Sequence, residues 1–208
     1  LKAGEFDEIV KNFGGVDNAF TSFDYTKYYI KTTNTNLDKS LELFAEVMEN
    51  LSLTDSEFQP ERDVVMQERL WRTDNNPMGL LYFTVFNTAC TKHPYHWTPI
   101  GFSDDIKGWK LEDIKAFHSL YYQPQNAIVL VAGDIDPQIV FDSAQKYFGK
   151  IANKTDSIPQ VQVKEPTQTE QTRVTITKNT EIEYLAMGYK IPNFAHKDQV
   201  ALSAISKI

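Results

Sequence analysis

The sequence predicts a protein built from alternating helices and strands. Three observations support this class: helical spacing of apolar residues in several segments, runs of aromatic and β-branched residues between them, and turn residues where the pattern changes. A strand followed by a helix occurs up to Leu51 and again up to Phe148, about a hundred residues later. This recurrence suggests a duplicated α/β half.

The first half of the chain is expected to contain four helices and a pair of strands. Apolar residues recur at helical intervals from Phe6 to Phe13, and two glycines then end the segment. Residues 16–33 predict two strands joined near Asp24-Tyr25, or one long bent strand. The helices expected after them cover residues 36–51, from about Pro60 to Arg72 or Thr73, and 78–89.

The second half is expected to add three helices and three strands. The helices are predicted over residues 111–122, 137–148 and 197–208, with a proline in the first turn of the second. The strands are predicted over residues 126–134, as a buried strand, and over 173–177 and 183–191.

Composition limits the function classes open to this chain. Its 208 residues carry a net charge of −7 and give a pI of about 5.1. A surface of this sign disfavours nucleic-acid binding, and no apolar run is long enough for a transmembrane segment. Cys90 is the only cysteine, which excludes an intramolecular disulfide and a cysteine-based zinc cluster.

Two glutamates on one predicted helix form the first candidate site. Glu61 and Glu68 are seven residues apart, so they lie about 20° from alignment and about 10.5 Å apart along one helix face. Burying two carboxylates on a partly apolar face requires a positive or hydrogen-bonding partner, and a metal ion would serve. The alternative, which the spacing alone favours, is that both are exposed and pair with Arg62, Arg69 or Arg72.

Other chemical motifs are weak or absent. His93 and His96 flank Pro94, which favours an extended or turned segment, so we interpret them as loop histidines whose rings do not converge. The sequence contains no Gly-x-Ser-x-Gly motif, no Gly-x-x-x-x-Gly-Lys and no Gly-x-Gly-x-x-Gly. Serine hydrolase, P-loop and dinucleotide chemistry are therefore not indicated.

Several motifs in a fixed order resemble one family, the pitrilysin/insulinase zinc metallopeptidases. Residues 18–29, Asn-Ala-Phe-Thr-Ser-Phe-Asp-Tyr-Thr-Lys-Tyr-Tyr, are similar to its Asn-Ala-x-Thr-x-x-(Asp/Glu)-x-Thr-x-Tyr-Tyr strand. Residues 61–68 are similar to its Glu-(Lys/Arg)-x-x-Val-x-x-Glu helix. The later matches are His93-Pro94-Tyr95, Tyr121-Tyr122-x-Pro124-x-Asn126-Ala127, Val131-Ala132-Gly133-Asp134 and Met187-Gly188-Tyr189.

The resemblance implies a fold and an activity. The fold is α+β, with helices packed on one side of a mainly antiparallel sheet. Residues 1–208 would form most of one metallopeptidase-type domain, with a first half of about 1–92 and a second half of about 93–208. The activity is zinc-dependent hydrolysis of peptide bonds in extended peptides, with a second homologous domain or subunit closing the cleft. Bacterial cytoplasm and periplasm both remain open as the compartment.

The resemblance also implies roles for particular residues. Glu68 would be the third zinc ligand and Glu61 a carboxylate that orients the ligands, which reverses the preference drawn from spacing alone. Substrate peptide would add by main-chain hydrogen bonds to a strand edge. That edge is formed by Asn18, Ala19, Phe20 and Thr21.

One family motif is absent from residues 1–208. The inverted zinc motif His-x-x-Glu-His, which carries two ligands and the catalytic base, does not occur. The family places it shortly before Ala3, so we expect a piece truncated at both ends, with no catalytic residue, no bound zinc and no activity of its own. Two alternatives remain: a non-catalytic partner or scaffold half that binds peptide or a partner subunit, or a peptide-binding module that uses the Asn18 edge alone.

Overall fold

The computed structural model describes residues 1, 2 and 4–207 of the chain. Its helices and strands, in chain order, are α1 (Glu5–Asn12), β1 (Val16–Thr21), β2 (Thr26–Lys31), α2 (Leu37–Glu49), α3 (Asp55–Arg69), α4 (Pro77–Ala89), α5 (Ser103–Gly108), α6 (Leu111–Tyr121), α7 (Pro137–Phe148) and α8 (Gln199–Ile205). Short 3₁₀ turns lie at Asn34–Asn36, Pro94–Trp97 and Pro124–Asn126, and a π-helical turn lies at Leu70–Asp74. Helices combined with an antiparallel strand pair confirm the α+β class.

The described chain divides into two compact units. Unit 1 contains Leu1–Arg69 and Pro99–Gln162, and unit 2 contains Leu70–Thr98 together with the described residues from Val163 onward. The π-helical turn, α4 and α8 belong to unit 2, and the other helices and both strands belong to unit 1. No helix of the described residues is both long and apolar enough to cross a membrane.

The core of unit 1 is formed by pairwise packing of its elements. α1 packs on β1, α2 on α7, and α3 on α5. Val10 and Ile106 are fully buried, and the Phe6 ring centroid lies 5.8 Å from that of Phe44, which joins α1 to α2. The other buried apolar side chains of this unit are Leu41, Leu43, Ala45, Phe58 and Ile151.

β1 and β2 form an antiparallel hairpin. The register runs from the Val16–Lys31 pair to the Thr21–Thr26 pair, and the Ser22 N–H donates to the Tyr25 carbonyl at 2.8 Å within the turn. This settles the choice left open by the sequence: two strands are present, not one bent strand. The hairpin places residues 18–21 on β1.

α3 begins at Asp55 rather than near Pro60, because the Glu57 side chain caps its N-terminus. Thr54 donates its N–H and its hydroxyl to a Glu57 carboxylate oxygen, at 2.9 and 2.6 Å. The Glu57 N–H donates to the Thr54 carbonyl at 3.2 Å. Thr followed three residues later by Glu is the sequence signature of this cap. Pro60 therefore lies inside α3 rather than at its start.

Three predicted strands are wrong for this structure. Residues 126–134, 173–177 and 183–191 lie in no ladder, and β1–β2 is the only strand pair of the described residues. Ile128 and Leu130 are 95% and 87% exposed, so the segment predicted as a buried strand is also not buried. A strand requires a second strand to bond its backbone groups, and apolar β-branched composition alone does not supply one.

A buried histidine joins α6 to α2. His118 is 9% exposed, and its Nε2 donates to the Val47 carbonyl at 3.1 Å. Its ring stacks on the Tyr122 ring at a centroid distance of 4.8 Å. Burial lowers the pKa of His118, and the nearby charge of Lys154 lowers it further. The hydrogen bond to Val47 acts in the opposite direction, and the net effect keeps this imidazole neutral to a lower pH than in the unfolded chain.

We predict that acid weakens the fold through His118. In the unfolded chain a histidine takes up a proton near pH 6.5, while the folded state resists protonation. The stability gained is complete above about pH 6.5 and is lost as the pH falls below it toward the lowered folded-state pKa. His118→Gln, whose amide can donate to the same carbonyl, should flatten this dependence. Urea unfolding midpoints between about pH 8 and pH 5 measure it, and identical pH dependence in both proteins would contradict the assignment.

Gly79 lies where α4 passes very close to the π-helical turn in unit 2. A Cβ at this position would overlap the carbonyl oxygen of Arg72. Asn76 caps the helix by accepting the Gly79 N–H at 3.1 Å. The close approach requires glycine although alanine is the better helix former.

Gly79→Ala is therefore expected to lower the free energy of unfolding by about 1–3 kcal/mol, as overpacking typically does. Gly108→Ala on α5 is the matched control, because no atom lies within 4 Å of a Cβ added there. This control should be neutral or raise the stability by up to about 1 kcal/mol. Chemical denaturation followed by circular dichroism compares the two. Equal stability of Gly79→Ala and the parent would show that the approach is not tight.

Candidate functional site

The residues predicted to bind substrate lie along β1 and are exposed. β1 pairs with β2 on one side, and among the described residues no strand pairs with its other edge. The exposed set comprises Asn18, Ala19, Phe20 and Thr21. The Phe20 side chain is 52% exposed and lies 6.2 Å from the Tyr25 ring. Among the described residues, the outer edge of β1 is therefore open, as is that of β2.

One backbone amide of this strand is bonded by a side chain. The Ala19 N–H donates to Oδ1 of Asn18 at 2.7 Å. When the exposed Asn18 side chain rotates away, the Ala19 N–H becomes available to another acceptor. Natural edge strands commonly mask such donors, because bare edges pair with other chains.

A cavity of about 1620 Å³ lies beside the hairpin. Its walls come from both strands, α2, α6 and the extended segment 126–135, and Asn18, Ala19 and Thr21 line it. Two hydrogen bonds link the hairpin side to the opposite wall. Asn34 Nδ2 donates to the Asp134 carbonyl at 3.0 Å, and the hydroxyls of Tyr28 and Tyr122 are 2.5 Å apart.

Two titratable side chains that line this cavity, Tyr28 and Asp17, have raised pKa values. Burial raises the pKa of Tyr28, and so does its hydrogen bond to Tyr122, so Tyr28 keeps its proton. Burial also raises the pKa of Asp17, and the neighbouring Asp7 carboxyl raises it further through its charge and a hydrogen bond. Asp7 and Asp17 both line the cavity. Asp17 therefore keeps its proton to a higher pH than an isolated aspartate does.

Glu61 and Glu68 lie on the single helix α3, as the sequence predicted. Glu61 is exposed and Glu68 is half-buried. α3 packs against α5, and the described residues that line the hairpin cavity include neither glutamate.

The arginines of α3 have partners of their own. Arg62 lies 3.7 Å from the Asp63 carboxylate. Arg69 is buried, and its Nη1 donates to the Gly101 carbonyl. This bond fixes the C-terminal end of α3, one residue beyond Glu68.

The described residues do not make up a zinc site. Within residues 1, 2 and 4–207, no three His, Cys, Asp or Glu side chains converge in a way that could hold a metal ion. Catalytic zinc takes three protein ligands. Glu68 could therefore contribute only one ligand to a site whose others come from elsewhere.

His93 and His96 act as loop histidines in unit 2. The segment predicted to be extended or turned forms the 3₁₀ turn Pro94–Trp97. Nδ1 of His93 accepts the Tyr95 N–H at 3.3 Å, and Nδ1 of His96 lies 2.7 Å from the Cys90 carbonyl at the end of α4. Each ring is used in its own local bond.

Gln123 anchors the segment after α6, next to Tyr122 of the cavity wall, and no signal in the sequence marks it. It is fully buried. Its Oε1 accepts the N–H groups of Lys154 and Thr155 at 2.7 and 3.2 Å, and its Nε2 donates to the Leu120 carbonyl at 2.5 Å. These bonds tie the end of α6, which Tyr122 follows directly, to residues 154–155. Within the Tyr-Tyr-x-Pro-x-Asn motif this glutamine is one of the unspecified positions.

The chain resembles known proteins over its whole length. It is 60% identical to the zinc protease PqqE of Helicobacter pylori over an alignment of 210 residues, and the alignment covers 100% of this chain and 47% of that protein. The crystal structure of a protease from Helicobacter pylori superposes with a TM-score of 0.96 at 60% identity, over 100% of this chain and 50% of that one. Cytochrome b-c1 complex subunit 1 of Bos taurus is 27% identical over 205 residues, 97% of this chain and 42% of that protein.

The chain thus spans about half the length of the relatives it matches. Residues 2–96 match the family model described as insulinase (peptidase family M16). Residues 108–208 match the model described as the peptidase M16 inactive domain. With both models of one peptidase family matched in order along it, this chain belongs to the pitrilysin/insulinase family of zinc peptidases, peptidase family M16.

Proposed function

We propose that this chain is part of a zinc-dependent peptidase that cleaves extended peptides, and that β1 is the edge on which the peptide docks. The observation that carries the proposal is the open edge of β1, with residues 18–21 exposed along it. Extended peptides commonly bind by adding a strand to such an edge. Family membership and the zinc protease among its relatives support the reaction class.

The docking step has a defined donor. The Ala19 N–H is bonded by the exposed Asn18 side chain, so an incoming carbonyl can replace Oδ1 once that side chain turns away. Asn18 then becomes free to bond the peptide itself. Phe20 and Thr21 continue the same edge and offer an aromatic face and a hydroxyl to the peptide's side chains.

Glu68 is proposed as one zinc ligand and Glu61 as a carboxylate that orients the ligands. Glu68 is half-buried near the end of α3, beside the anchored Arg69, which holds its backbone in place. A ligand needs such a fixed position, because ordering a mobile side chain would weaken metal binding. Glu61 is exposed and lies about two helical turns before Glu68 on the same face of α3. This distance along the helix suits an indirect role.

The remaining ligands and the base would come from the His-x-x-Glu-His motif of a longer protein. We propose that the present chain supplies two α/β halves, about 1–92 and about 93–208, of a domain in that protein. The matches to the two family models support this division, because the first ends at residue 96 and the second begins at residue 108, both close to the proposed boundary. A second homologous domain would close over the peptide, and the chain alone would neither hold zinc nor cleave peptides.

A non-catalytic partner half is the second candidate. It is favoured by the relative that is a subunit of the cytochrome b-c1 complex and is 27% identical over 97% of this chain. In that case the β1 edge would bind a peptide or a partner subunit without hydrolysis. A His-x-x-Glu-His motif encoded upstream of this chain would decide for the peptidase, and its absence would decide for the partner half.

Ala19→Pro should weaken peptide binding to this chain by about tenfold, the equivalent of one hydrogen bond. Proline removes the N–H, and edge strands tolerate proline where the N–H faces away from the ladder. Ala19→Val keeps the N–H and is the matched control. Fluorescence anisotropy of a labelled unstructured peptide measures the affinity, and circular dichroism checks the fold. If a folded Ala19→Pro protein binds as tightly as Ala19→Val, or the parent binds no peptide, the docking edge is wrong.

Glu68→Gln in the longer protein should abolish peptidase activity and lower zinc content together, because the amide keeps the side chain's shape and loses its charge. Glutamine and glutamate have similar helix propensity, so α3 should persist. Glu61→Gln is the graded comparison and should cost about 10- to 100-fold in metal affinity or activity. Zinc content, cleavage rate and circular dichroism are measured for both variants.

The 208-residue chain alone serves as the negative control for that experiment, and it should retain no zinc after dialysis against a mild chelator. A folded Glu68→Gln enzyme with full zinc and full activity would remove Glu68 from the metal site. Stoichiometric zinc in the chain alone would show that the ligand set has been misassigned.

A further inference from the structure

Residues 163–192 of unit 2 form a long arm without helix or strand, defined here as the arm. Every residue of the arm is exposed except Glu165. The Glu165 side chain is 17% exposed. An extended segment that buries almost nothing needs a specific attachment to stay ordered, because apolar burial cannot offset its conformational entropy.

Glu165 provides that attachment through both of its carboxylate oxygens. Oε1 accepts the N–H and the hydroxyl of Thr91, each at 2.8 Å. Oε2 accepts the N–H groups of Lys92 and His93, each at 2.8 Å. Three consecutive backbone amides and one hydroxyl therefore converge on a single carboxylate, the arrangement of an anion-binding nest.

The Glu165 carboxylate brings the two ends of the arm together. Lys190, near the far end of the arm, lies 3.8 Å from the same carboxylate. Between these ends, Lys178 donates to the Asp74 carbonyl at 3.0 Å, just before α4 begins. Gly188 returns beside α4, where an added Cβ would lie 3.1 Å from Val85. The arm thus runs from the C-terminal end of α4 to its N-terminal end and back.

We infer that residues 91–93 form a carboxylate-binding site, that Glu165 is its resident ligand, and that filling this site clasps the arm onto α4. The site selects a carboxylate because its donors divide between two oxygens, two donors to each. A single-atom anion such as chloride cannot accept from both pairs of donors at once. An amide would place its N–H₂ group, which is itself a donor, against one of the two pairs.

The charged form of Glu165 is the one that the site holds. The backbone N–H groups of His93 and Thr91 are the main cause that lowers the pKa of Glu165 to about 2. The carboxylate therefore remains ionised at neutral pH, and hydrogen bonds to an ionised acceptor are stronger than neutral ones.

Hydrogen exchange and chemical rescue test the inference on the 208-residue chain. Glu165→Ala should speed amide exchange at residues 91–93 by about tenfold or more, the effect of losing charge-assisted bonds, and should open the arm to proteolysis. Sodium acetate should reverse the exchange effect saturably, and sodium chloride at equal ionic strength should not. Glu170→Ala, which removes an exposed carboxylate of the same arm, is the matched control and should change neither readout.

Three results would overturn the inference. These are unchanged exchange at residues 91–93 in Glu165→Ala, an equal effect of Glu170→Ala, and failure of acetate to act differently from chloride. If Glu165→Ala does not fold, Glu165→Gln decides by the same exchange measurement. It should be faster than the parent at residues 91–93, and parent-like rates would reject the carboxylate site.

Discussion

Backbone N–H groups need hydrogen-bond partners, and in two extended segments of this chain a side chain rather than a neighbouring strand supplies them. β1 and β2 bond each other, and on the open outer edge of β1 the Ala19 N–H donates to the Asn18 side chain. The amides of residues 91–93 are taken by the Glu165 carboxylate. Residues 127–132 lie in no ladder, and they line a cavity opposite the hairpin. Where the backbone is bonded by side chains rather than by strands, a partner can exchange for them.

The helices supply the rigidity that these segments lack. Buried packing of α2 on α7 and of α3 on α5 holds unit 1, and the fully buried Gln123 fixes the end of α6 against residues 154–155. The hairpin is joined to that frame by the Tyr28–Tyr122 bond and by the packing of α1 on β1. An open strand edge on a fixed hairpin is suited to binding a peptide, because the edge need not be ordered at the moment of binding.

Most helices were predictable from the sequence, and the β1–β2 hairpin was one of two alternatives, but the later strands were predicted wrongly. The segments predicted over 36–51, 111–122 and 137–148 are α2, α6 and α7 within two residues, because apolar spacing is a local signal. The start of α3 was not predicted, although Thr54 and Glu57 have the sequence spacing of a helix cap. The strands predicted after residue 126 depended on distant partners, which no local pattern encodes. For the candidate site, the family motifs predicted the β1 edge and Glu68, and these stay predictions. Glu165 and Gln123 bond backbone groups brought near by the fold and so carry no local signature.

The central claim is that Glu68 completes a zinc site in a longer peptidase whose substrate docks on β1. Anomalous diffraction at the zinc absorption edge, from crystals of the protein that carries the His-x-x-Glu-His motif, tests it most directly. The account predicts a single strong zinc peak with a Glu68 carboxylate oxygen at about 2.0–2.2 Å. A zinc ion with a full set of protein ligands that excludes Glu68 would contradict it.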